Sequence, residues 1–165
     1  MKPAPGSLRW DAANPPFDPR DTSDRTALSP HQVAERFVQL FYVEDNPADA
    51  FTCWMHPDYL QHNPNAPTGR DATLEVLAAA VRDNPDLTHD VKRVIYGDAD
   101  LVAVHHHFRR TRDERGWAVV DILKIADGYV VELMCFHDAR TADRRRAELA
   151  ASGEGVPVAP GRDIC

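Results

Sequence analysis

The chain has 165 residues, of which 43% are hydrophobic and 27% charged, an ordinary globular composition that excludes wholesale disorder. Lys and Arg number 19 against 26 Asp and Glu, and a net charge of −7 argues against a nucleic-acid groove or an anionic membrane surface as the main partner. Cys53, Cys135 and Cys165 are too scattered for a disulfide framework, and no run approaches the roughly 18 apolar residues that span a bilayer, so a cytoplasmic protein is expected.

Residues 1–28 hold Pro3, Pro5, Pro15, Pro16 and Pro19 among Asp, Arg, Ser and Thr, a composition that predicts a flexible arm, with Trp10 and Phe17 available to pin parts of it. One domain is expected over 29–152. Gly153 to Cys165, rich in glycine and proline, reads as a flexible tail.

Ser29-Pro30-His31-Gln32 has the capping-box arrangement of a helix start, and Val33, Phe37, Leu40 and Phe41 follow at helical spacing. A second helix starts at Asn46-Pro47 and carries Ala50, Phe51, Trp54 and Met55 before Pro57 stops it. Tyr59 to Pro64 then reads as a polar loop. A third helix spans about Asp71 to Arg82 and ends at Asn84-Pro85.

The period then changes to two. Strands are expected near 89–96, 100–110, 117–126 and 129–138, with a two-residue hairpin at Asp127-Gly128, and a last helix over about Thr141 to Ala151. Helices first and an antiparallel meander afterwards make an α+β pattern, one curved sheet with helices on one face.

Asp121 is the one carboxylate in the apolar strand from Trp117 to Ile125, where desolvation is expected to raise its pKa toward a useful acid/base value. The alternative is a structural pairing, for instance with Arg109. A two-residue hairpin puts Asp121 opposite Met134, with Glu132 and Phe136 on the same face. In His105-His106-His107, the preferred register brings His107 or His105 onto that face, and a slip of one residue hands the role to His106. His105 and His107 could ligate a metal with His62, Asp121 or His137, but the spacing matches no known metal motif, and a proton-relay role ranks above it.

Taken together, Tyr59-Leu-Gln61-His62-Asn63-Pro64, Thr68-Gly69-Arg70-Asp71, Asp100 to His105, Ala118-Val-Val-Asp121-Ile and Asp127-Gly128-Tyr-Val-Val-Glu132 resemble the SnoaL-like polyketide cyclase branch of the nuclear-transport-factor-2-like superfamily, over about residues 29–138. The resemblance implies a conical α+β barrel, a bent, mostly antiparallel sheet wrapped around the N-terminal helices. It also implies an apolar pocket at the open end and a homodimer formed through the sheet, which strands apolar on both faces also favour. Relatives of this kind close rings by aldol condensation without metal or organic cofactor. By the same resemblance Asp121, His62, His105 and His107 are the acid/base candidates, and none of them is assigned to a metal.

One departure matters. The family pattern Glu-His-Trp-Asp after the hairpin is here Glu132, Leu133, Met134 and Cys135. The expected function is cofactor-independent acid/base catalysis on a small or medium apolar carbonyl compound, by cyclisation, isomerisation or dehydration. Asp121 would be the base, and Phe37, Phe41, Trp54, Tyr59, Met134 and Phe136 would line the pocket. The alternatives are a non-catalytic small-molecule-binding module of the same fold and epoxide hydrolysis using Arg93 or Arg109 with Asp121.

Overall fold

The computed structural model describes residues 8–63 and 66–137. The expected last helix, the domain end at 152 and the tail at 153–165 lie outside those residues. Helix α1, Pro30–Val38, begins at Ser29 with the expected capping box, both reciprocal hydrogen bonds being formed. It does not end there. Gln39–Val43 continues as a π-turn in which the Glu44 amide donates to the Gln39 carbonyl at 3.0 Å, closing a five-residue ring. The wider turn buries Gln39, Leu40, Phe41 and Tyr42 together, four consecutive side chains that a regular helix would spread around its axis.

Helix α2, Pro47–Trp54, starts at Asn46, whose side chain accepts from the Asp49 amide. It passes directly into strand β1, Met55–Gln61. The expected loop is therefore a strand, and Pro57 sits inside it. β1 is an edge strand, where a residue lacking an N–H is tolerated. After helix α3, Arg70–Asp83, come β2, Thr88–Tyr96; β3, Leu101–Arg109; β4, Trp117–Ala126; and β5, Tyr129–His137.

The described residues form a bent, unclosed five-stranded sheet in the order β1-β5-β4-β3-β2, antiparallel except for the parallel β1–β5 pair. The helices cover its inner face, making the fold mixed α+β. The core gathers Phe37, Leu40, Tyr42, Phe51, Trp54, Met55 and Tyr59 from the helices and β1 against Val102, Val104, Leu123 and Val130 of the sheet.

Two one-residue bulges decide which side chains enter that core. In β5, Lys124 pairs with Glu132 but Ile125 with Val130, leaving Val131 as the extra residue. In β2 the register shifts between Val91 and Arg93. The hairpin at Asp127-Gly128 has the expected Ala126–Tyr129 pair, with left-handed φ of 50° and 77° as a primed turn requires.

From Leu8 onward the N-terminal segment is seated on the helices. Trp10 Nε1 donates to Gln39 Oε1 at 2.7 Å, and Trp54 Nε1 donates to the Pro19 carbonyl at 2.7 Å. Arg20 bridges Glu44 and Asp49 at 2.7 Å each, and Phe17 lies edge-on to Trp10. Arg25 donates to the Tyr129 hydroxyl and to the Cys53 carbonyl, joining the segment to the β4–β5 turn and to α2.

Candidate functional site

Asp121 lies midway along β4 with its side chain on the inner face, 4% exposed. Its Oδ2 accepts from the Tyr42 hydroxyl at 2.6 Å and lies 3.1 Å from Nε2 of His106, itself 1% exposed. The Cys135 thiol, directly across the β4–β5 ladder, is a further neighbour of the carboxylate.

Burial, the largest single influence on Asp121, acts to raise its pKa. The hydrogen bond and charge of His106, with the Tyr42 and Cys135 contacts, outweigh it and hold the carboxyl below its ordinary value. This corrects the expectation of a raised pKa. The strand environment is apolar, but the carboxylate is met by donors. Asp121 Oδ2 accepts a hydrogen bond from a ring proton of His106 on Nε2; in the neutral ring Nδ1 is then a lone pair, and among the described residues Nδ1 is buried with no hydrogen-bond partner.

The histidine that meets Asp121 is thus His106, and the preference for His107 or His105 is corrected. β3 pairs with β4 so that Val104 faces Asp121 and His106 faces Val119, which turns the odd-numbered histidines to the outer face. There His105 pairs with Arg93 and is held below the usual imidazole value by desolvation and then by that guanidinium. His107 Nε2 lies 2.7 Å from the Arg115 carbonyl. His62, expected beside Asp121, is 44% exposed and bonds Glu132 Oε2 at 3.1 Å on the same outer face.

The bulge at Val131 likewise moves Met134 and Phe136 off the Asp121 face. Met134 pairs with Ile122, and Phe136 is 57% exposed. Arg93 and Arg109 belong to the outer face as well, so neither is part of an Asp-Arg arrangement with Asp121. Of the expected lining residues, Phe41 stays at the site, its ring 4.7 Å from that of Tyr42. Trp54 is buried under the N-terminal segment. Tyr59 ties β1 to α3 by donating to Thr73 Oγ1 at 2.8 Å, and burial pushes its phenol up to about 12.

Tyr42 and Cys135 escaped the sequence reading because a π-turn and a bulge place them. His89, whose ring lies 5.3 Å from that of His106, carries the signal of a lone histidine entering a strand after Pro85-Asp86. Among the described residues no three His, Cys, Asp or Glu side chains gather as metal ligands would, and no helix is long and apolar enough to cross a membrane.

Residues 34–133, more than half of the chain, match the model of the SnoaL-like domain. The chain belongs to the SnoaL-like domain family. Solved structures share the fold at low identity. A nuclear-transport-factor-2-like protein of unknown function from Cytophaga hutchinsonii is 10% identical, with 70% of this chain and 96% of that one covered and a TM-score of 0.56. A SnoaL-like family protein from Agrobacterium tumefaciens, described as a candidate isomerase, is 13% identical over 66% and 96% of the two chains, with a TM-score of 0.53. A candidate polyketide cyclase from Sinorhizobium meliloti is 19% identical over 61% and 93%, with a TM-score of 0.51. No functionally curated protein matches this sequence.

Proposed function

We propose that this SnoaL-like chain is a cofactor-independent acid/base enzyme acting on a small or medium apolar carbonyl compound, by aldol-type cyclisation, isomerisation or dehydration. The observation that carries the proposal is the Asp121–His106 contact at 3.1 Å, with His106 Nδ1 buried and, among the described residues, unpartnered. Proton abstraction α to a carbonyl needs a positioned base and a donor for the enolate oxygen. In this reading His106 Nδ1 takes the proton, ionised Asp121 holds the ring in the required tautomer, and the protonated imidazole then serves as the acid. Tyr42 steadies Asp121, and Phe41 supplies apolar wall. The roles first assigned to His62, His105 and His107 pass to His106. The candidate cyclase and isomerase among the fold relatives support the same class of chemistry.

The test is deuterium incorporation at the α-carbon of small apolar ketones in D2O, read by mass spectrometry. Exchange above buffer that falls by at least roughly 10²-fold in His106→Gln is expected. Ketone binding without exchange in the wild-type protein would instead establish a second reading, a non-catalytic binding module. That reading is favoured by the engagement of Asp121 Oδ2 with two partners, which a purely structural carboxylate would also show.

The outer face of the sheet supports a homodimer in the same proposal. Ile95, Leu101 and Phe136 are 53%, 41% and 57% exposed there and would be covered in it.

A further inference from the structure

A second carboxylate–imidazole pair stands beside the first. His89 enters the core from β2, opposite Phe108 and two residues before Val91, which pairs with His106. Its Nδ1 lies 2.8 Å from Asp45 Oδ1. The rings of His89 and His106 are in contact at 5.3 Å, and both pack on Tyr42, at 5.5 and 4.9 Å. Side-chain exposure rises along the series, from 1% at His106 to 9% at His89 and 33% at Asp45. Asp45 holds a left-handed φ of 49° immediately after the π-turn, so the same backbone irregularity that turns Tyr42 inward sets the second carboxylate at the surface end.

A base buried this deeply must exchange its proton with water, and imidazole can take a proton at one ring nitrogen and release one from the other. We infer that His89, oriented by Asp45, carries protons between His106 and solvent. The inference rests on the acid/base reading of His106. The proton on His106 Nδ1 passes through one bridging water to His89 Nε2, while the Nδ1 proton of His89 leaves along Asp45 to water. Rotation of the His89 ring, or return of a proton from solvent, restores the starting tautomer, and nothing is oxidised or reduced. The polar groups facing His89 are the Asp45 carboxylate and the His106 imidazole, with Asp121 behind His106; the rings of Phe41, Tyr42 and Phe108 also pack against it. His89 acts through His106 and is a positioning residue, not a catalytic one.

The experiment is solvent exchange of the His106 Nδ1 proton, observed with the ring protonated, in the full chain labelled with ¹⁵N-histidine, followed by NMR in wild type, His89→Phe and Asp45→Asn. Phenylalanine keeps the ring contacts of His89 with Phe41, Tyr42 and Phe108 while removing the nitrogens. Slowing of roughly 10²-fold in His89→Phe is expected, with the His106 Nε2 resonance unmoved and a smaller slowing in Asp45→Asn. Unchanged exchange in a folded His89→Phe would overturn the inference. If that variant does not fold, Asp45→Asn decides it, and unchanged exchange there overturns it equally. The readout needs no substrate, so failure of ketone exchange with the relay intact sinks the acid/base reading alone, and loss of ketone exchange in His89→Phe with unchanged His106 exchange sinks the relay alone.

Discussion

The Tyr42 hydroxyl and the Asp121 carboxylate meet at 2.6 Å across 79 positions of sequence. The contact joins a π-turn in the first helical segment to the middle of the fourth strand. Neither element alone calls for it, and together they bury a charge with its donors already in place.

Tyr42→Phe keeps the ring and removes the donor. Loss of one hydrogen bond to a buried charge should cost about 1–3 kcal/mol, visible in urea denaturation. The Asp121 carboxyl should titrate higher than in wild type, because one influence that lowers it is gone. Carboxyl-detected NMR would show this directly, and an unmoved titration would mean that His106 and Cys135 set the ionisation without Tyr42.

Asp121 also predicts an acid limb in stability. Its folded pKa lies below the ordinary value of 3.8, so the folded state binds this proton less readily than the unfolded chain does. The stability it contributes is complete above that ordinary value and is lost as pH falls through it toward the depressed folded value. Thermal melts between neutral pH and about pH 2 should therefore fall more steeply for wild type than for Asp121→Asn.

Gly128→Ala tests the seat of the N-terminal segment. At φ of 77° an added Cβ would sit 2.3 Å from Arg25 Cγ and 2.7 Å from the Arg25 carbonyl oxygen. Backbone strain and displacement of Arg25 together should cost about 1–3 kcal/mol. The loss should shrink when Arg25 is replaced by Gly, a coupling that a double-mutant cycle reads.

Removing residues 1–28 should destabilise the domain, since Trp10 is 9% exposed and the segment also caps Trp54 and Gln39. Trp10→Ala alone should lower stability by about 3 kcal/mol, measured by denaturation. A truncation that melts like the full chain would show the segment to be dispensable.

Sedimentation should give twice the 18.5 kDa of one chain, and Phe136→Asp should return it to a single mass. A wild-type protein sedimenting at 18.5 kDa would end the dimer proposal.

Local chemistry made much of the fold legible. The capping box at Ser29, Asn46-Pro47 and the primed turn at Asp127-Gly128 set element ends within a residue or two, and the period-2 segments became strands. Asp121 was legible for the same reason, as a lone carboxylate in an apolar run. Its partners were not. A single unpaired residue, Val131, reverses the facing of everything after it in β5, exchanging Met134 for Cys135. The choice among His105, His106 and His107 depends on β3–β4 pairing across a long loop, and Tyr42 on a helix that widens by one residue. Strand β1 was hidden because its ladder partner, β5, lies some seventy residues away, as the Gln61–Leu133 pair illustrates.

The bond between Arg25 and Tyr129 spans 104 residues, so it couples the N-terminal segment to the last described strand. During synthesis Arg25 leaves the ribosome long before its partner on the β4–β5 hairpin exists. Closing so long a loop is entropically costly and comes after local helices and hairpins have formed. The Arg25–Tyr129 bond thus closes only after the hairpin has formed, whereas Trp10, whose partner Gln39 is 29 residues on, should report an earlier phase by fluorescence in stopped-flow refolding.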